Sequence, residues 1–221
     1  MISAIIIGLL TCVPDAAFGP GDNFVPMHCV ASATTSTPRP GVERWPIKTS
    51  VPDGTDFNRP LEFSIEKLIA LPDVETVTKN DRRFQSARIP DEEGDLIVTE
   101  GWLWLVAAEG DGDYHVQLSA SKDSGDPCFI VEVPDPAFAP NPDLRRRYRA
   151  VRDFFATKIM HPGKRPSAAG TLLVHPVKVR VTGVLFYDDS HVGDQPRGKK
   201  GMKAGTLFEL HPVTGIEFAK P

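Results

Sequence analysis

The stretch Tyr114–Val133, YHVQLSASKDSGDPCFIVEV, says most about the fold of this chain. Its first six residues alternate between apolar and polar side chains, which indicates a half-buried strand. The polar segment SKDSGDP is typical of a turn, and CFIVEV follows it as a returning strand. This turn pairs Ser119 with Cys128 and therefore places His115 opposite Glu132 on one face. The sequence predicts an antiparallel hairpin that carries a histidine–carboxylate pair.

Three further strands are predicted around this hairpin. DLIVTEGWLWLVAAEG (95–110) is rich in β-branched and aromatic residues, and Gly101 within it predicts a bulge. PVKVRVTGVLFYD (Pro176–Asp188) alternates in the same way, with Gly183 as a second predicted bulge. TLFELHPVTGIEF (206–218) is the last strand.

One long helix separates the third and fourth of these five strands. In NPDLRRRYRAVRDFFATKI, Asn141 can cap the helix and Pro142 suits its first position. Apolar residues recur at helical spacing along it: Leu144, Tyr148, Val151, Phe155 and Ile159. A short helix is predicted for Ser64–Leu71, with Ser64 as its N-terminal cap.

The predicted order β-β-β-α-β-β, with bulges in two long strands, is typical of a mainly β fold: a five-stranded OB-like barrel. A generic α+β sandwich is the alternative. Residues 14–60 are rich in Pro, Gly, Ser and Thr and predict an irregular N-terminal arm, with a short strand at Arg44–Thr49. We therefore divide the chain into a signal or linker region (1–42) and a single OB-like domain (43–221).

The N-terminus carries an apolar run, Ile2–Leu10, that is too short to cross a bilayer as a helix. No transmembrane segment is predicted. The run has the length of a signal-peptide core but lacks a preceding Lys or Arg, and the nearest small-x-small site is Ala31–Ala33. Export and a cytoplasmic location both stay open. In an exported, uncleaved chain Cys12 and Cys29 could pair.

The charge balance bears on the class of partner. The chain of 221 residues has 25 basic and 29 acidic residues, a net charge of -4. General affinity for nucleic acid is not favoured, because phosphate binding rests on clustered positive charge. Local basic contacts stay open at the segment PRGKKGMKAG and on the Arg-rich helix, and the partner is unknown.

Acidic and histidine residues recur at the ends of the predicted strands and form a candidate polar cluster: Asp111, Asp113, His115, Glu132, Asp188, Asp189, His191, Glu209 and His211. One interpretation is structural, with the side chains satisfying backbone donors at the barrel ends. A second is a divalent metal site built from His115, Glu132, His191 and His211. A third is acid–base hydrolysis of a phosphodiester. No cofactor is certain, and a divalent metal is the candidate.

Other side chains are candidates for ligand binding. Trp102 and Trp104 could stack on bases or sugars, although such residues are more often core. Arg145 and Arg149 could contact phosphates, although such a helix face is more often solvated. No phosphate-binding glycine motif and no nucleophilic Cys–His pair is evident.

The segments DGDYH, FIVEVPDP, VRVTGVLFYDDSH and ELHPV together resemble a family of bacterial proteins without an established activity. The pattern of that family is D-x-D-x-H, I-x-E-x-P, G-x-x-F-x-D-x-x-H and E-L-H-P-V, and the resemblance covers roughly Glu43–Phe218. It implies a fold type and recurring polar positions, without a cofactor or substrate. The long basic loop after His191 departs from the pattern. The leading expectation is a binding module, and the alternative is a metal-dependent hydrolase.

Overall fold

The computed structural model describes residues 43–160 and 164–220. In chain order the elements are α1 (Trp45–Lys48), β1 (Leu61–Glu62), α2 (Ile65–Ile69), β2 (Leu96–Ala108), β3 (Tyr114–Ser119), β4 (Cys128–Val133), α3 (Pro142–Phe154), β5 (Thr171–Tyr187) and β6 (Ala204–Phe218). Short 3-10 turns lie at Pro136–Phe138 and Asp189–His191, and one π-helical turn, Phe155–Ile159, continues α3. The expectations for residues 14–42 of the N-terminal arm, for the signal region and for Cys12 and Cys29 lie outside the described residues.

The predicted hairpin forms in the predicted register. β3 and β4 are antiparallel, Ser119 pairs with Cys128, and His115 pairs with Glu132. Val116 and Val131, the next pair along the hairpin, belong to the main core cluster inside the barrel. Side chains on a strand point alternately to its two faces. The His–Glu pair therefore lies on the outer face.

Five strands close into the predicted OB-like barrel. β2 pairs antiparallel with both β3 and β5, β4 pairs parallel with β6, and β6 pairs antiparallel with β5. The helix between the third and fourth barrel strands is α3, as predicted. The two-residue strand β1 pairs in parallel with the start of β2. This topology places the β2–β3 and β5–β6 connections where OB barrels usually present ligand-binding loops.

One of the two predicted bulges is confirmed. The register between β5 and β6 breaks on both sides of Gly183, where a Cβ atom would lie 2.9 Å from Leu210 Cβ. The bulge predicted at Gly101 is wrong, because the register of β2 breaks between Leu103 and Leu105. Gly101 instead leaves room for α2, since a Cβ there would lie 3.3 Å from Ile65 Cγ1.

The strand predicted at Arg44–Thr49 is also wrong, because residues Trp45–Lys48 form the helix α1. Proline in the first turn of α1 suits a helix start, and the Thr49 hydroxyl donates to the Trp45 carbonyl at its end. The two other helices have the predicted caps. The Ser64 hydroxyl accepts from the Lys67 amide, and the Asn141 side chain accepts from the Leu144 amide.

The buried face of α3 covers part of the barrel. Val151 and Phe155 belong to the main core cluster, and Ile159 packs against that cluster while partly exposed. Leu144 and Tyr148 form a smaller cluster with Ala139. The helix thereby closes one region of the barrel and leaves the outer face of β3 and β4 to other segments.

Within residues 43–160 and 164–220, no helix is both long enough and apolar enough to cross a membrane. Cys128, on the outer face of β4, is a buried free thiol, and burial raises its pKa to about 12.

Candidate functional site

The outer face of the barrel carries a row of polar side chains across three strands. Asp113 directly precedes β3, His115 and Gln117 alternate with core residues along it, and Glu132 lies beside His115 on β4. On β6, Glu209 and His211 alternate with Phe208 and Leu210 of the core and are fully buried. These residues face away from the barrel interior, yet little solvent reaches them. Other segments must therefore cover this face.

The β5–β6 loop covers one half of the face. Met202 packs in a cluster with Leu105 and Ile130 on the outer side of the strands. The Lys199 amide donates to Gln117 Oε1 over 2.7 Å, which ties the loop to β3. The apolar contact of Met202 with Leu105 and Ile130 thus explains why this basic loop folds back onto the barrel.

The segment around α1 covers the other half. The Arg44 guanidinium lies 4.6 Å from the Phe186 ring centroid and the Lys48 ammonium 5.5 Å from it. Arg44 is fully buried and forms a bidentate pair with Glu93, with N–O distances of 2.6 and 2.7 Å. This pair fixes the start of α1 and hence the position of Lys48.

A pocket remains between the two covers, with a volume of about 470 Å³. Its walls come from α1, the β2–β3 loop, β3, β4 and the β5–β6 loop. Ionisable side chains predominate in its lining: Glu43, Lys48, Glu109, Asp111, His115, Glu132, Asp188, His191, Arg197 and Lys199. We call this the charged pocket.

His115 and Glu132 form one wall of the charged pocket. His115 Nδ1 lies 3.0 Å from Glu132 Oε1, and His115 Nε2 lies 3.1 Å from Gln117 Oε1. Since Gln117 Oε1 already accepts from Lys199, the His115 Nε2 atom donates to it. Burial lowers the pKa of His115, but the bonds to Glu132 and Gln117 and the charges of Glu132 and Glu109 together outweigh this and raise the pKa. His115 is thus held by both ring nitrogens.

His211 lies behind this wall, between carboxylates on both sides. Its Nδ1 is 3.0 Å from Glu209 Oε1 and 3.4 Å from Glu132 Oε2, and its Nε2 is 3.2 Å from Asp113 Oδ2. Burial lowers the pKa of His211, but these acids raise it to about 9. For Asp113, burial outweighs the effect of His211 and raises the pKa.

Two cations complete the floor of the pocket. Arg197 Nη1 contacts Asp188 Oδ2 at 2.7 Å and Glu209 Oε2 at 2.8 Å. Burial tends to raise the pKa of Glu209, but Arg197 and His211 lower it well below its usual range. Within residues 43–160 and 164–220, the Lys48 ammonium makes no hydrogen bond. Burial lowers its pKa, but four acids at longer range together outweigh this and raise it.

The acids and bases in this network are equal in number. The acids are Asp113, Glu132, Asp188 and Glu209, and the bases are Lys48, His115, Arg197 and His211. At the rim, Lys199 and Glu109 add one further pair at 3.1 Å. Because buried charge is tolerated only when it is compensated, this balance explains how so many ionisable groups fold into one site.

The structure brings together most of the predicted polar cluster, and it places the rest nearby. Asp113, Glu132 and His211 offer ligand atoms within 4.8 Å of one another. Asp111 lies at the rim and accepts from the Asp113 amide. His191 also lines the pocket but stays outside this trio, 3.3 Å from Asp194 and 42% exposed. Asp189 is buried and accepts from the Asp81 amide.

Sequence reasoning missed the cations and their support. Lys48 lay in a predicted strand, and Arg197 lay in the basic segment PRGKKGMKAG, which was considered only for local contacts with a partner. The pairing of Arg44 with Glu93 spans 49 residues and has no local signal. A hint was available only for α1, where proline directly follows Trp45.

The other predicted ligand-binding residues lie elsewhere. Trp102 lines a separate groove that also contains Lys178 and Arg180. Trp104 packs beside Met202, and its indole N–H donates to the Ser121 carbonyl. Arg145 is exposed on α3, and Arg149 lines a cavity with Arg152. These four residues do not line one groove.

Comparison of the chain with protein-family models, with curated proteins and with solved structures gave no match. The resemblance to a bacterial family therefore stays a prediction.

Proposed function

We propose that this protein is a binding module that holds a small, neutral, polyhydroxylated ligand, a saccharide, in the charged pocket. The observation that carries the proposal is the Lys48 ammonium. It faces a pocket of about 470 Å³ and makes no hydrogen bond within the described ranges. An ammonium group in such a place can donate to a ligand oxygen.

The charge balance supports a neutral ligand over an ion. The four bases of the buried network are matched in number by four acids, so an ion added to the network would enter without compensation. Sugar hydroxyls both donate and accept hydrogen bonds. They can therefore bind carboxylates and ammonium groups side by side, and charge-assisted bonds of this kind are the strong ones.

The position of the pocket gives independent support. OB barrels bind oligosaccharides and oligonucleotides between the loops that here join β2 to β3 and β5 to β6. Of the two ligand classes, nucleic acid fits less well. The net charge is -4, and among the described residues no aromatic side chain lines the pocket as a stacking platform for bases.

The test is a glycan array with the labelled protein, followed by calorimetry on each sugar that binds. Lys48→Met is expected to reduce affinity at least tenfold, since it removes the free donor and keeps the apolar stem. Lys67→Met is the matched control, because Lys67 is exposed on α2 away from the pocket. Equal sugar affinity in both variants, or no sugar bound by the wild type, would refute the proposal.

A second candidate function is a metal-dependent hydrolase, and one observation favours it. Asp113 Oδ2 and His211 Nε2 are buried 3.2 Å apart, and neither forms a well-directed hydrogen bond within residues 43–160 and 164–220. Two such atoms beside Glu132 match the ligand types of a zinc or manganese site. In that case Lys48 and Arg197 would contact an anionic substrate such as a phosphodiester.

Elemental mass spectrometry of the purified, untagged protein separates the two candidates. The hydrolase requires stoichiometric metal that is lost in His211→Gln and kept in His191→Gln, since His191 lies outside the trio. It also requires metal-dependent cleavage of bis(p-nitrophenyl) phosphate. If the purified protein contains no metal and binds sugar, the hydrolase is excluded and the binding module remains.

A further inference from the structure

A second surface lies where β5 leaves its pairing with β2. Leu103 pairs with Val177 and Leu105 with Leu172, so residues 173–176 of β5 stand opposite Trp104 alone. Val174 within this bulge is 87% exposed, and Leu172 at its edge is 47% exposed. Large exposed apolar groups that sit together indicate an interaction site.

A groove of about 440 Å³ runs beside the bulge. Its floor is apolar and is formed by Ile159, Met160, Leu173 and Val177 with Leu172. Its rim is basic and carries Lys158, Lys164, Arg165 and His175, and none of the described residues that line it is acidic. The groove thus combines an apolar floor with a cationic edge on a protein whose net charge is -4.

The cationic edge continues into a neighbouring cavity. This cavity, of about 310 Å³, shares Lys164 and Arg165 with the groove and adds Arg149 and Arg152. Asp153 is the one acid that lines it among the described residues. Arg152 is already engaged, since it donates to the Gly112 carbonyl and lies 3.7 Å from the Tyr114 ring centroid. Lys164, Arg165 and Arg149 are exposed.

We propose that this apolar and basic surface docks on the headgroup region of an anionic lipid bilayer. Leu172 and Val174 enter the boundary between headgroups and acyl chains, and the cations on the rim contact lipid phosphates. Both contributions are those that bind peripheral proteins to membranes. We favour a bilayer over an acidic peptide, because Val174 lines the groove yet is 87% exposed, and a bilayer can accept a side chain that protrudes this far.

The test is sedimentation of the full chain with vesicles of equal parts phosphatidylcholine and phosphatidylglycerol. Leu172→Ser/Val174→Ser and Lys164→Glu/Arg165→Glu are each expected to reduce the partition coefficient at least tenfold. The matched controls are Leu61→Ser, an apolar residue 49% exposed elsewhere, and Lys122→Glu, an exposed lysine outside the surface. Both controls are expected to bind like the wild type.

Binding of the wild type is also expected to fall in high salt, because exposed charges are screened. Two results would overturn the proposal. One is that both surface variants bind the anionic vesicles as the wild type does. The other is that the surface selects polyglutamate instead, with the Leu172→Ser/Val174→Ser variant undiminished. The sugar assay on the same variants stays unaffected in either case, since the charged pocket shares no residue with this surface.

Discussion

The replacement Arg44→Met removes the buried anchor of α1, and its cost can be worked out from the contacts. The Arg44 and Glu93 side chains are both 0% exposed. Besides the bidentate pair, the guanidinium donates to three carbonyls, those of Phe84, Ala87 and Tyr187, over 2.8 to 3.0 Å. The variant leaves all of these acceptors, including a buried carboxylate, without their charged donor.

Removal of one partner from a buried ion pair typically costs about 3–5 kcal/mol of unfolding free energy. Glu93 keeps two donors in the variant, the Ile89 and Tyr187 amides at 2.8 Å, which partly stabilise its charge. The lower half of that range is therefore expected, about 3–4 kcal/mol. For a domain of this size this corresponds to a Tm lower by about 6–16 °C.

The measurement is urea unfolding followed by circular dichroism, with equal m-values required for the comparison. The control is Arg59→Met, since Arg59 is 87% exposed and lies 3.8 Å from Asp56. The control is expected to change stability by less than about 0.5 kcal/mol. A loss below about 1 kcal/mol for Arg44→Met would show that the pair is worth no more than a surface pair, and the reasoning would fail.

Three further predictions concern single sites. Gly183→Ala is expected to cost about 1–3 kcal/mol, because the new Cβ would lie 2.9 Å from Leu210 Cβ and 3.0 Å from the Pro212 carbonyl oxygen. Gly215→Ala, where the nearest atom is 3.5 Å away, is the control, and equal urea midpoints for the two variants would contradict this. In a Cys12→Ser, Cys29→Ser background, Ellman's reagent should label Cys128 slowly in the native state and rapidly in urea, since burial raises the pKa of this thiol to about 12. Fast native labelling would mean that the outer face of β4 is open. Because the pKa of His211 is raised to about 9 on folding, its contribution to stability is complete below about pH 6.5 and is lost as the pH rises through about 9. Urea midpoints across that range should fall less in His211→Gln than in the wild type, and parallel curves would exclude the effect.

The barrel was predictable because its decisive signals are local. Alternation of side chains, a turn of polar residues and helix caps at Ser64 and Asn141 each act within a few residues, and each formed as expected. The errors arose where packing with distant segments decides. The missing side chain at Gly101 lets Ile65 of α2 pack closely against β2. The position of α1 depends on the bond between Arg44 and Glu93, which are 49 residues apart.

In the candidate site, too, the part that depends on local signals was predictable and the part that depends on distant segments was not. The pairing of His115 with Glu132 followed from strand register, which two-residue periodicity fixes. The cations could not be placed, since Lys48 and Arg197 reach the acids from α1 and the β5–β6 loop, which pack over the outer face of the barrel. From the acids and histidines alone, a structural role, a metal site and hydrolysis all stayed open, and the cations beside them favour a compensated network.

The two segments that cover the outer face, α1 and the β5–β6 loop, determine how a polymer could bind there. An OB barrel with an open face lets a chain run across its strands, so that several units are bound in a row. Here α1 and the β5–β6 loop stand on either side of the charged pocket and, among the described residues, reduce the outer face to this pocket. The proposed saccharide site is therefore expected to take the terminus of a chain, so that binding should increase with the number of chain ends instead of with chain length.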